Sequence, residues 1–251
     1  MLSTIWTQCA GSSEIQPLAL RAWRIVEAQH VIATRKLVDS DAEQALLEEI
    51  LESHKPAAPD TTRLHYLLFT PFRYPPLPKG SRFASRWERS LWYGAEQQRS
   101  AFAEVAYYRL LFLEGTAATL GAVQAEHTAF SAAVKTKLGI DLTHAPFARW
   151  ERELASPASY ESTQPLGAAM RAAGVEAFRY RSARDVAGGT NVGVFTPRAF
   201  AVRKPRTVQT WRTTATRDVV EISRKDYFVR ESYRFPREDF LVSGTLPRPA
   251  V

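Results

Sequence analysis

The sequence contains one cysteine and no long apolar run. Because Cys9 is alone, a disulfide within the chain and a zinc site built from cysteines are both excluded, which favours a reducing compartment. Nowhere do about 18 consecutive apolar residues occur, and no basic flank precedes an apolar stretch at the start of the chain. We therefore expect neither a membrane span nor a signal peptide, and we predict a cytoplasmic protein.

Several nucleotide and metal motifs are also missing. There is no GxGxxG, no Walker loop and no HExxH, so a Rossmann dehydrogenase, a nucleotide triphosphatase and a zinc protease have no motif support. Gly188, Gly189 and Gly193 come too late in the chain and are spaced too widely for a dinucleotide fingerprint. The histidines lack the pairing typical of metal ligands, so we expect no metal; they are His30, His54, His65, His127 and His144.

Basic charge is concentrated in the body of the chain. The net charge is +7 over 251 residues, yet residues 1–60 carry 5 basic and 9 acidic side chains, so the remainder carries a charge of +11. Such a field attracts phosphates, nucleic acid or an acidic partner, or it simply keeps the surface soluble. Charge alone does not choose among these, although the 45% hydrophobic content suffices for a sizeable core.

The first 58 residues are predicted to form a helical arm. Pro17 is well placed to begin a helix that runs to about Leu37. Ser40 and Glu43 form a capping box before a second amphipathic helix that ends near His54. We expect the resulting hairpin either to dock on the body or to present its apolar stripe to another chain, for example in self-association. A Pro-containing linker precedes the main domain at 59–251.

The main domain is predicted to be α+β. Its helices are expected from about Glu96 to Glu114, at Phe147–Leu154 and at Thr163–Ala173, the last stopped by Gly174. The predicted strands are Arg63–Thr70, part of Thr128–Leu142, Glu176–Tyr180, Asn191–Thr196, Val208–Thr213 and Asp218–Ile222. The basic, aromatic tail from Lys225 has no predicted role beyond packing over a cleft.

Candidate functional residues concentrate between residues 63 and 109. A proline-rich, non-helical loop at Phe72–Phe83 presents Arg73 and Arg82 from a constrained backbone, which suits anion binding. On the helix that follows, Glu104 lies beside or within the apolar stripe. A carboxylate in that position needs partners or a chemical task.

A combination of motifs resembles the RES domain family, the toxins of bacterial toxin–antitoxin pairs. The motifs are TPFRY, GSRF, WYGA and AEVAYYR, followed by YRSARDVAGGTNVGVFTPRAF, in which Ser182 takes the family's serine position. The resemblance covers roughly residues 63–222. It departs from the family pattern at Ala84, where glycine is expected, and at Arg181, where proline is expected.

The resemblance implies an ADP-ribosyltransferase-like core, two small β-sheets that enclose a nucleotide cleft. It also implies NAD as substrate and an Xre-type helix-turn-helix antitoxin as partner. Arg73 and Arg82 would bind the pyrophosphate, Tyr74 and Tyr93 would hold the cationic nicotinamide ring, and Glu104 would stabilise the ribose cation. Ser182 would hydrogen-bond phosphate or ribose, because no histidine or lysine base lies beside it in sequence.

Three activities remain open from the sequence. NAD cleavage at the nicotinamide–ribose bond would pass ADP-ribose to water or phosphate, with Glu104, Arg73 and Tyr93 as catalytic residues. An ADP-ribosyltransferase would pass it to a protein or nucleic acid instead. A non-enzymatic basic binding module is the third, although no recognition helix or base-stacking motif supports it.

Overall fold

The computed structural model describes residues 4–28, 37–56, 63–118 and 120–249. Mixed helices and strands alternate along these ranges, so the predicted α+β class is confirmed. The helices are α1 (Thr4–Gln8), α2 (Asp41–Ser53), α3 (Tyr66–Arg73), α4 (Gln98–Glu114), α5 (Glu151–Leu154) and α6 (Thr163–Ala172). The strands are β1 (Gln16–Glu27), β2 (Trp92–Ala95), β3 (Val123–Asp141), β4 (Ala177–Arg181), β5 (Thr190–Val194), β6 (Thr207–Ala215), β7 (Val219–Arg224) and β8 (Ser232–Pro236).

The strands form one continuous hydrogen-bonded sheet. Its order is β1-β2-β5-β4-β3-β6-β7-β8, and β1 also pairs with β3, so the first five strands of this order form a closed ring. The long strand β3 joins the ring to the rest of the sheet, because it pairs with β6 near its start and with β4 at its end. The expectation of two small separate sheets is therefore wrong for the described residues.

The predicted helix from Pro17 is wrong, because residues Gln16–Glu27 form β1. Ala22 is fully buried, and β1 pairs antiparallel with β3 from Gln16 to Glu27. The spacing of Leu18, Trp23 and Val26 suits a helix, but alternating burial and a long partner strand favour extended backbone. The predicted helical hairpin therefore lacks its first helix over Gln16–Glu27. Residues 29–36 of that predicted helix lie outside the described residues.

The second predicted helix is confirmed as α2. Ser40 Oγ accepts a hydrogen bond from the Glu43 backbone N–H (3.2 Å), as expected for the cap. Leu46, Ile50 and Leu51 remain exposed on this helix, so the self-association predicted for the arm would fall on α2. The division into an arm at 1–58 and a domain at 59–251 stays a prediction.

The predicted strand Arg63–Thr70 is also wrong. Residues from Tyr66 form α3, since His65 Nδ1 accepts from the Leu67 backbone N–H (3.3 Å) and caps the helix. A short apolar run suits a buried helix as well as a buried strand, so its pattern alone does not decide between them. The other predicted helices and strands of the main domain are present within a few residues of their expected bounds.

The C-terminal tail completes the sheet and packs under α4. Phe235 and Phe240 are buried in a cluster with Phe102, Tyr107 and Trp211. The Tyr107 hydroxyl donates to the Pro247 carbonyl (2.5 Å), which ties the tail to α4. The tail therefore supports α4 from behind. Among the described residues, no helix has both the length and the apolar character needed to cross a membrane.

Candidate functional site

A cavity of about 560 Å³ lies between β1 and α4. One face of α4 forms a wall because its lining residues recur at helical spacing over three turns. From α4 these are Ala101, Glu104, Val105, Tyr108, Arg109 and Phe112; the remaining lining residues are Trp23, Arg24, Ile25, Glu27, Ser81, Arg82, Tyr93, Gly94, His127, Tyr160, Tyr180, Arg184 and Asn191.

Glu104 is the carboxylate at the inner part of this cavity. Its Oε1 accepts a hydrogen bond from Asn191 Nδ2 (3.0 Å). Asn191 is almost fully buried on β5, directly opposite Tyr180 on β4. Among the described residues, Glu104 accepts from this one neutral donor, so the carboxylate keeps lone pairs available for a ligand. Glu104 is thus fixed by the sheet and directed at the cavity.

Tyr93 is anchored by a tight turn. Its hydroxyl accepts from the Phe83 backbone N–H (3.0 Å) and lies 3.0 Å from Ser81 Oγ. Burial raises the pKa of Tyr93 to about 12, so the phenol is neutral at physiological pH. Gly80, at φ +71°, allows the turn, and a Cβ there would lie 2.3 Å from the Ala84 carbonyl oxygen.

Helix α6 holds the same turn from its other side. Gln164 Nε2 donates to the carbonyls of Lys79 (3.0 Å) and Ser81 (3.1 Å). Gly167 lets the helix approach so closely that an added Cβ would lie 2.1 Å from the Phe83 carbonyl oxygen. The packing of α6 against the turn fixes the backbone on both sides of Arg82. Nothing in the sequence indicated this packing.

Arg82 is a buried cation at the cavity wall. It is 7% exposed, and its Nη1 donates to the carbonyls of Leu154 (3.2 Å) and Ser156 (2.8 Å). The guanidinium carbon lies 5.1 Å from the centre of the Tyr160 ring. No carboxylate in the described ranges lies within ion-pair distance of Arg82, so carbonyls and a ring face orient the charge without neutralising it.

Arg184 repeats this arrangement. It is 4% exposed, Nη2 donates to the Pro157 carbonyl (2.9 Å), and the guanidinium carbon lies 3.6 Å from the centre of the Tyr107 ring. Across the residues that the structure describes, Nη1 has no hydrogen-bond partner and Arg184 has no ion pair. A buried guanidinium left in this state is costly unless a ligand supplies the missing acceptors.

The loop that carries Arg184 is fastened to the start of α4. Asp185 accepts from Ser100 Oγ (2.6 Å) and from Arg99 Nε (3.2 Å). Ser182 Oγ accepts from the backbone N–H groups of Arg184 and Asp185, both at 3.2 Å. Ser182 does not line the cavity, and in the structure its hydroxyl stabilises the turn that presents Arg184.

Arg73 and Tyr74 lie away from the cavity. Arg73 ends α3 and does not sit in the loop; its Nε donates to the Pro56 carbonyl (2.6 Å) and its Nη2 to Glu52 Oε1 (3.0 Å). Tyr74 follows it and is exposed. Of the residues selected from sequence, the structure brings together Arg82, Tyr93 and Glu104.

The model of the RES domain family matches residues 57–216. The chain belongs to the RES domain family. No curated protein matches it. Among solved structures, a chain in the crystal structure of the M. tuberculosis MbcT-MbcA toxin-antitoxin complex is similar, with 14% identity and a TM-score of 0.48. The match covers 86% of this chain and 95% of that chain.

Strand β1 completes the cavity from outside the matched part of this RES domain protein. Arg24 Nη1 donates to the Tyr93 carbonyl (2.6 Å), and burial lowers the pKa of Arg24 to about 10. Trp23, Ile25 and Glu27 line the cavity from the alternate positions of β1. No sequence signal pointed to these residues, because the segment was predicted to be a helix.

The sequence held different amounts of information about the other cavity residues that were not predicted. Arg184 stands two positions after Ser182 in the same motif, so its place in the loop was visible although its role was not. Asn191 lies in a predicted strand, and Tyr160 lies in a segment without a pattern. Within the described ranges, no group of three or more His, Cys, Asp or Glu residues could hold a metal ion.

Proposed function

We propose that this protein is the toxin of a bacterial toxin–antitoxin pair and that it cleaves the nicotinamide–ribose bond of NAD in the cavity between β1 and α4. One observation carries the proposal. Arg82 and Arg184, both more than nine-tenths buried, lie in one cavity without an acidic partner among the described residues. Two uncompensated charges suit a ligand with two negative charges, and the pyrophosphate of NAD is such a group.

The rest of the cavity suits the other half of the ligand. A volume of about 560 Å³ falls within the usual range for ligand cavities. Tyr93, Tyr160 and Tyr180 supply ring faces and edges, and aromatic faces attract a cationic nicotinamide. Glu104 supplies the negative charge near which a ribose cation would be stabilised.

The cleavage step balances with water or phosphate as the acceptor of the ribose. The bond between ribose C1′ and the nicotinamide nitrogen breaks, and its electron pair leaves with the ring, which becomes neutral. The Glu104 carboxylate stabilises the positive charge that develops on the ribose. Water or phosphate then forms the new bond to C1′, and the proton that water loses passes to the Glu104 carboxylate or to solvent. Arg82 and Arg184 hold the pyrophosphate still throughout.

Family membership supports an antitoxin partner, and the resemblance in sequence implies one with an Xre-type helix-turn-helix domain. Such a partner would close access to the cavity. The basic body, with its charge of +11 after residue 60, suits an acidic surface on that partner. Expression of the protein without its partner should lower cellular NAD and stop growth.

NMR of NAD incubated with the purified protein tests the reaction. We expect free nicotinamide with the native protein, and an ADP-ribose phosphate product only in phosphate buffer would identify phosphorolysis. Glu104→Gln should lower the rate by on the order of a hundredfold, because it removes the charge that stabilises the transition state. Glu114→Gln, on the last turn of the same helix, serves as the matched control.

Two results would change the conclusion. Label from NAD that stays on protein or nucleic acid would favour ADP-ribosyl transfer over hydrolysis and phosphorolysis. Unchanged NAD in every sample, together with salt-dependent nucleic-acid binding, would replace the enzyme with a basic binding module. Cleavage retained in full by Glu104→Gln would remove Glu104 from the mechanism.

A further inference from the structure

The cavity continues along α4 well beyond the carboxylate proposed for cleavage. Its lining residues on this helix extend from Ala101 through Glu104 to Phe112. Eight residues of α-helix span roughly 12 Å, so Phe112 lies about that far from Glu104 along the axis. A single ribose and its nicotinamide do not fill this length, which leaves the outer part of the cavity for another portion of a ligand.

Two aromatic side chains line the outer part. Tyr108 is 53% exposed and Phe112 is 55% exposed, although the opposite face of α4 is buried against the sheet. Because they are four residues apart, their side chains lie on the same face of the helix, one turn apart. Exposed aromatic pairs of this kind form a surface on which a planar base stacks.

Strand β1 supplies the wall that faces this pair. Ile25 and Glu27 lie on the same side of β1 and line the cavity opposite α4. Glu27 Oε1 accepts from Arg109 Nη2 (2.7 Å), so an ion pair joins the two walls at the outer end. The outer part is thus a slot with one aromatic wall and one aliphatic wall, joined by an ion pair.

We propose that this slot binds the purine base of a dinucleotide, with Tyr108 and Phe112 as the stacking surface. The proposal rests on the proposed function, because it assigns the outer part of the same cavity to the other end of the same ligand. It makes these two aromatic residues determinants of specificity, since they would favour a dinucleotide that carries a purine over nicotinamide mononucleotide, which has none.

Calorimetric binding of two probes to the full chain tests the slot. ADP-ribose carries a purine and a pyrophosphate, whereas inorganic pyrophosphate carries only the anionic group. We expect native protein to bind ADP-ribose more tightly than pyrophosphate. In the double variant Tyr108→Ala with Phe112→Ala, ADP-ribose affinity should fall about tenfold, in line with a lost base stack, while pyrophosphate affinity is unchanged.

The matched control removes two exposed aromatic residues elsewhere. Tyr227 and Phe228 are fully or almost fully exposed at the turn between β7 and β8, so Tyr227→Ala with Phe228→Ala should leave both affinities unchanged. Native protein that gains no affinity from the purine overturns the slot but leaves the proposed cleavage standing. An equal loss for both probes, or no loss for either, also overturns it. Native protein that binds neither probe overturns slot and proposed function together.

Discussion

At the scale of single residues, Arg82 and Arg184 have no carboxylate partner among the described residues, whereas Arg109 of the same cavity pairs with Glu27. Some of the cationic groups in ion pairs, such as Lys55, Lys225 and Arg234, lie at the surface, where a pair contributes little to stability. Arg82 and Arg184 are buried and held by carbonyls and ring faces. Such contacts orient a guanidinium while leaving its charge intact, so the protein keeps the binding energy of both groups for a ligand.

Replacement of Arg184 should therefore weaken anion binding more than it weakens the fold. In Arg184→Met we expect pyrophosphate affinity to fall on the order of tenfold to a hundredfold, because a charge-assisted hydrogen bond is lost. The free energy of unfolding should stay constant or rise, since the variant no longer buries an unpaired charge. Calorimetry with pyrophosphate and urea denaturation measure the two quantities.

Arg171 offers the control for that variant. Its Nη2 donates to the Arg89 carbonyl (2.7 Å) and its guanidinium carbon lies 4.2 Å from the centre of the Phe195 ring, yet it does not line the cavity. Arg171→Met should leave pyrophosphate affinity unchanged. Equal losses in Arg171→Met and Arg184→Met would show that neither arginine acts through contact with the anion.

A buried histidine at the outer end makes stability depend on pH. His127 accepts at Nε2 from Arg109 (3.3 Å) and lies 3.0 Å from Thr213 Oγ1 at Nδ1. Burial, with the Arg109 charge as a further cause, lowers the pKa of His127 from 6.5 to about 4. Below pH 6.5 the unfolded chain therefore binds a proton that the folded chain does not, and the free energy of unfolding falls.

We expect this loss of stability between pH 6.5 and pH 4, and His127→Gln should reduce its slope. Urea denaturation at several pH values across the window gives the free energy of unfolding of each protein. His54→Gln, which changes an exposed histidine at the end of α2, should retain the native slope. A native slope in His127→Gln would assign the effect to other groups.

At the scale of elements, local sequence patterns correctly predicted the segments whose conformation does not depend on partners distant in sequence. The cap at Ser40 and the stop at Gly174, which has φ +80°, are local features, and both α2 and α6 have their expected ends. β1 and α3 were predicted wrongly because partners distant in sequence decide them. Pairing with β3 requires extended backbone from Gln16 to Glu27, and no property of that segment alone reveals β3.

The residues of the site also divide into those that local patterns predicted and those that depend on distant partners. Arg82, Tyr93 and Glu104 were found because they sit on or beside a local motif, a constrained turn and an amphipathic helix. Arg73 was misplaced because its presentation by the loop depended on α3 being a strand. Trp23 and Arg24 reach the cavity through the pairing of β1 with β2 and β3, which no local signal contained. Long-range pairing, more than residue type, limited the prediction.

At the scale of the whole molecule, the described parts of residues 1–58 differ in how far they are buried in the main body. Ala22 on β1 is fully buried within the central ring of strands, whereas Leu46 on α2 is 56% exposed. If these residues formed one independent arm, changes at both positions would leave the main body untouched. The sheet predicts a clear difference, because β1 is a structural member of the ring and a wall of the cavity.

Introducing glutamine at each position measures that difference. Ala22→Gln forces a large polar group into a close-packed interior, so we expect a loss of roughly 3 kcal/mol or more in the free energy of unfolding and weaker pyrophosphate binding. Leu46→Gln keeps helix propensity at an exposed position and should change stability by about 0.5 kcal/mol or less. Urea denaturation followed by tryptophan fluorescence and circular dichroism would report both. If Ala22→Gln left the main transition and pyrophosphate binding as in the native protein, β1 would belong to a separate arm, and the cavity would be complete without it.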